Sequence, residues 1–182
     1  MPNRIGQAYT YMALTAILPG RSAELRACIE SFELGAGSPF ARVAQVHFAR
    51  WVIVPQLVEV GPPPEVPDKL RNEYLLFSAD VDGELDPFLD SLCESIPREI
   101  DAVYGHCVGY PGVADGEAFR GYMHHNQIDT TFPFAASAEA TVSEVREGLE
   151  LRRRLIEFAV QAQHLDPAGL QETYRRAFAA RS

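Results

Sequence analysis

Six apolar segments follow one another in the order strand, helix, long strand, strand, helix, strand within residues 1–113, and that order constrains the fold more than any single motif does. Strands that return to one sheet through helices put those helices on the faces of the sheet. The expected product is a four-stranded sheet with both helices on one face. The other face is left for a partner, a ligand or a pocket.

The first strand runs from Tyr9 to Leu18, with Tyr11, Ala13, Thr15 and Ile17 alternating against Met12, Leu14, Ala16 and Leu18 until Pro19-Gly20 ends it. Ser22 then caps a helix that has Glu24 in its first turn, and Leu25, Cys28, Ile29 and Phe32 give it an apolar stripe. The β-branched and aromatic run Val43 to Val54 reads as the second strand. Val46, Phe48, Val52 and Val54 form its more uniformly apolar side and are assigned to the helices. That leaves His47 and Trp51 on the open face and Arg50 near an edge or in a partly buried ion pair.

Four prolines between Gly61 and Asp68 make that stretch a stiff surface loop. Tyr74 to Ala79 is the third strand, and Asp80-Val81-Asp82-Gly83 supplies a turn. Asp86 as cap and Pro87 at the first helical position open the second helix, with Leu85, Leu89, Leu92 and Ile96 on one side and Pro97 as its end. Ala102 to Val108 is expected to be the fourth strand, carrying Tyr104 and His106 on one side and Cys107 on the other. An irregular segment through Asn126 follows. Thr141 and Glu144 have capping-box spacing ahead of a helix bearing Val142, Val145, Leu149 and Ile156, and Asp166-Pro167 opens a last helix with Leu170, Tyr174 and Phe178. This is an α+β pattern, a ferredoxin-like βαββαβ sandwich over residues 1–113. A mainly helical C-terminal extension over 114–182 would pack on the same domain or on a dimer partner.

Lys and Arg number 16 against 25 Asp and Glu, a net charge of -9, which argues against nucleic acid as a partner. No segment approaches a membrane span and the N-terminus shows no signal-like core, so a cytoplasmic location is expected. Cys28, Cys93 and Cys107 are far apart and lack metal-ligand spacing, which makes disulfides and structural zinc improbable.

With this face assignment, His47, Trp51, Thr15, Ser78, Tyr104 and His106 line the open face, an aromatic surface with a few polar groups suited to a planar organic ligand. His47 and His106 are the candidate catalytic bases or metal ligands, and Arg50, Trp51, Ser78 and Tyr104 the candidate ligand-binding residues. His47 and Arg50 lie on opposite faces unless a bulge intervenes. Adjacent His124 and His125 diverge too far to share an ion, and Asp80, Asp82 and Glu84 match a calcium loop only superficially. No phosphate loop, dinucleotide fingerprint, nucleophile elbow or zincin motif is present.

The segments Val46 to Ile53, Tyr74 to Ala79 with Asp82-Gly83, and Gly105 to Pro111 resemble a group of bacterial ferredoxin-like proteins over about residues 10 to 160. More remotely, the chain resembles the dimeric α/β-barrel superfamily of cofactor-free monooxygenases, cyclases and haem peroxidases. The resemblance implies a homodimer that binds a small aromatic or hydrophobic molecule, with oxidoreductase chemistry that is haem-dependent or cofactor-free. His47 or His106 would then be the axial ligand or base, and Arg50 would meet a carboxylate or propionate. The alternatives are a non-catalytic interaction subunit and a cofactor-free cyclase or isomerase.

Overall fold

The computed structural model describes residues 3–56, 70–136 and 138–178; the proline-rich loop expected at 61–68 lies outside them. The chain divides into two compact units, residues 1–141 and 142–182. The first is α+β. Strands β1 (Arg4–Ile5), β2 (Ala8–Ala16), β3 (Val46–Val54) and β4 (Tyr74–Asp82) form one antiparallel sheet in the order β1-β2-β4-β3. Helices α1 (Ser22–Glu30), α2 (Leu85–Ser95), α3 (Pro97–Tyr104) and α4 (Gly116–His125) belong to the same unit. The second unit holds α5 (Val142–Ala162) and α6 (Pro167–Phe178), as the capping signals predict.

Alternation along the two central strands sets the core. Tyr11, Ala13, Thr15 and Ile17 from β2 and its end, and Leu75, Phe77, Ala79 and Val81 from β4, are buried with Leu25, Phe88, Leu89, Leu92, Ile100, Val103, Phe119 and Met123 of the helices. An aromatic seam runs through this layer, with Phe77 5.9 Å from Tyr11, 5.8 Å from Phe40 and 6.4 Å from Phe88 between ring centres.

The fourth strand is not formed. Residues 97–104 are helix α3, because Pro97 starts a new helix at its first position rather than ending the old one, and Ile100, Val103 and Tyr104 recur at helical spacing on the buried side. What remains beside β2 is one antiparallel bridge, Ile17 to Cys107, in which Leu18 N donates to His106 O and Val108 N donates to Ala16 O, both at 2.8 Å. A second bridge joins Ala13 to Gln127. The stretch read as irregular contains α4, opened by Asp115, whose carboxylate accepts from Ala118 N at 3.0 Å. Asp80 and Asp82 belong to β4 rather than to a turn.

Candidate functional site

β3 holds one residue more than its partner between the pairs Val46–Val81 and Phe48–Asp80, a bulge at His47. A bulge of one residue reverses which side chains face the core beyond it. Val46 packs on the core as expected, but past the bulge Ala49, Trp51 and Ile53 do so too, while Phe48, Arg50 and Val52 face the opposite way, paired with Asp80, Ser78 and Leu76. Trp51 is therefore not an open-face residue. Its indole sits 4.6 Å from Phe40, 5.8 Å from Phe77 and 5.9 Å from Phe32 between ring centres. Thr15 is also on the helix side, buried, with its hydroxyl donating to Leu75 O at 3.3 Å.

His47 lies on the open face, as alternation from Val46 predicts, and the bulge adds Phe48 and Arg50 to that face; the His47 Nε2 lies 2.6 Å from Asp82 Oδ1. One ladder step away, Thr10 Oγ1 donates to Asp80 Oδ1 at 2.8 Å. His47, Asp80, Thr10 and Ala8 line a cleft of about 140 Å³ that Phe134 and Ala135 complete. That volume matches the roughly 150 Å³ that admits a benzene ring. An ionised Asp82 selects the imidazole tautomer with the proton on Nε2, so Nδ1 keeps a lone pair that can accept a proton. The Asp80 carboxylate disfavours a ligand that enters as an anion and favours a neutral hydroxyl or amine, and an anion formed by proton removal would have the resulting His47 imidazolium as its counter-charge.

The candidate residues thus separate into three places. His47, Arg50 and Ser78 share the open face, with the Arg50 guanidinium 5.5 Å from the Phe48 ring and Ser78 beneath it, nearly buried. Trp51 and Tyr104 meet in the interior instead. The Trp51 indole N–H lies beside the Tyr104 hydroxyl and the Tyr122 hydroxyl beside Thr15, but none of the Trp51, Tyr104 and Tyr122 polar atoms, all buried, reaches full hydrogen-bond geometry. Burial holds the Tyr104 phenol well above its usual range and pushes the Cys107 thiol up, so neither is an activated nucleophile. His106 stands apart in the turn after α3, its Nδ1 3.4 Å from Arg21 Nε.

Asp80, Asp82, Thr10 and Phe134 were not singled out as site residues. The signal for the first two is the period-two run Leu76, Ser78, Asp80, Asp82, which continues the open face of β4 past Ala79. Among the described residues, no group of three or more His, Cys, Asp or Glu is placed to hold a metal ion. His124 bonds Asp86 at 2.6 Å instead of sharing a ligand with His125.

The residues of the His47 cleft do not fit a haem. The His47 cleft of about 140 Å³ is well below the several hundred Å³ that a large ligand needs, and the imidazole already engages Asp82. No helix among the described residues is long and apolar enough to cross a membrane. Compared with protein-family models, curated proteins and solved structures, the chain has no match.

Proposed function

We propose that this chain is a ferredoxin-like, homodimeric binding protein of the cytoplasm whose His47 cleft takes one small aromatic or hydrophobic molecule bearing a neutral hydroxyl and removes a proton from it without a cofactor. The observation that supports this reading is the His47–Asp82 pair at the wall of a ring-sized cleft, beside the Thr10–Asp80 pair. An imidazole oriented by a carboxylate is a recurrent general base. Proton removal is the first step that cofactor-free oxidation by dioxygen shares with isomerisation and cyclisation, so this one geometry supports the oxidoreductase reading and its cofactor-free alternatives.

The ferredoxin-like reading is supported by the two central antiparallel strands with β3 on one flank, and by the Cys107 bridge standing where a fourth strand would pair. The interaction-subunit reading draws on Phe48 and Val52, which leave 47% and 40% of their surfaces exposed on the same sheet face.

Titration of the isotope-labelled protein with phenol and catechol, followed by amide shifts, tests the proposal. Saturable shifts confined to Thr10, His47, Asp80 and Phe134, lost in His47→Gln, are expected. Shifts confined to Phe48, Arg50 and Val52, or no saturable shift, overturn it.

A further inference from the structure

Helix α5 carries an apolar stripe that its own unit leaves exposed. Val145, Leu149, Ile156 and Val160 fall within about 60° of arc at 3.6 residues per turn, and they are exposed by 39%, 58%, 52% and 61%. A second side of α5 meets α6 through Phe158, whose ring centre is 5.8 Å from Tyr174 and 5.5 Å from Phe178. Even so, only Val142 and Thr173 are buried among the described residues of this unit. A two-helix hairpin of this size does not hold itself together on one aromatic cluster and the Arg154 contacts to Phe178 and Ala177 O.

Charge decides what the stripe fits. Along one flank stand Arg146, Glu150, Arg153 and Glu157, in alternating sign at helical spacing. The pairs 146/157 and 150/153 are both symmetric about the point between residues 151 and 152. The apolar pairs Leu149/Ile156 and Val145/Val160 are symmetric within one residue of the same point. A second α5 laid antiparallel over the first, about a two-fold axis at that point, therefore sets Val145 against Val160, Leu149 against Ile156, Arg146 against Glu157 and Glu150 against Arg153. A parallel helix would face the flank with its opposite, which offers Gly148, Arg152, Leu155 and Ala159 and no carboxylate. Within one chain, Arg153 already bonds Glu150 at 2.7 Å and Glu157 at 2.6 Å, so the acceptors are in place on the flank.

We propose that α5 is a self-association surface whose occupant is the antiparallel α5 of a second copy, the two α5 helices lying face to face with each α6 on the far side of its own α5. This takes up the homodimer part of the proposed function and does not depend on the His47 cleft. A helix of 21 residues is about 31 Å long and about 10 Å wide. The α5 pair alone thus covers about 600 Å², the size of a weak, concentration-dependent dimer. Arg152 falls near the axis and turns its charge outward along its stem.

Sedimentation velocity on the full chain from about 1 to about 200 µM tests this, with a micromolar dimer expected. Two variants make the test specific: Arg146→Glu/Arg153→Glu has an all-acidic flank, and Glu150→Arg/Glu157→Arg an all-basic one. Each alone should stay monomeric with unchanged helical circular dichroism, and their equimolar mixture should dimerise at least as well as the parent chain. A parent chain that is monomeric throughout, variants that still dimerise alone, or folded variants that fail to associate when mixed would overturn the assignment. Phenol shifts at Thr10 and His47 in the monomeric variants report separately on the cleft.

Discussion

His47 and Asp82, 35 residues apart in sequence, meet at 2.6 Å on the open face of the sheet, at the position where β3 carries its extra residue. Their side chains are only 23% and 17% exposed, so the contact is shielded from water without being sealed in. Substituting either partner removes a hydrogen bond to a charged group at a partly shielded site, a loss of about 1–2 kcal/mol. His47→Gln and Asp82→Asn should both abolish phenol binding while lowering the melting temperature by only a few degrees. Binding that survives His47→Gln would remove the imidazole from the site.

The buried hydroxyls of Tyr11 and Tyr104 differ in one respect that decides their energetics. Tyr11 donates to Met123 O at 2.8 Å, whereas the Tyr104 hydroxyl has only the Trp51 indole N–H beside it, short of full hydrogen-bond geometry, and no acceptor for its own proton. Deleting a paired hydroxyl loses the bond and orphans a buried carbonyl, at about 1–3 kcal/mol, whereas deleting an unpaired one relieves a desolvation cost. Urea unfolding should show Tyr11→Phe destabilised by that amount and Tyr104→Phe neutral or more stable. Equal destabilisation of both would mean that Tyr104 has an acceptor in solution.

The contrast between these residues also shows how far the chain was legible before its structure. Alternation in β2 and in Leu75, Phe77, Ala79 and Val81 reads directly as the buried face. Capping and spacing likewise locate α5 and α6 to within a residue or two. The bulge at His47 leaves no mark in the hydrophobic pattern, yet it moves Trp51 from the open face to the interior and brings Arg50 to the face that His47 already occupies. Residues 102–108 satisfy a strand period locally, but Ile100, Val103 and Tyr104 satisfy a helix period with Pro97 as its start, and packing against the core favoured the second. Trp51 and Tyr104 were expected as walls of an open-face pocket and lie in the core instead.

Gly6 and Gly83 both hold a left-handed backbone, at φ +56° and +84°, but in different surroundings. A Cβ on Gly83 meets open space, whereas one on Gly6 would come within 2.4 Å of Ala138 O, the same carbonyl that accepts from Gln7 N at 2.8 Å. Gly83→Ala should cost only the conformational strain, about 1–2 kcal/mol. Gly6→Ala must also displace the backbone at Ala138 and should cost clearly more. Thermal unfolding of the two variants side by side checks the order.

Alkaline pH should destabilise the fold through its phenols. Tyr104 is raised by burial, and so are Tyr11, Tyr110 and Tyr122, the Tyr110 hydroxyl being held further by its donation to Asp101 Oδ1 at 2.7 Å. In the unfolded chain these groups titrate near pH 10. Above that pH the unfolded state loses protons that the folded state keeps, so ΔG of unfolding falls as pH rises; below it, the phenols are neutral in both states and their contribution is fully present. Absorbance at about 295 nm should therefore show these four of the seven tyrosines resisting ionisation above pH 10, then titrating together as the protein unfolds. Tyr110→Phe should weaken that dependence, since one such phenol is gone. Smooth ionisation of all seven near pH 10 with circular dichroism unchanged would show that the interior around Tyr104 is open to water.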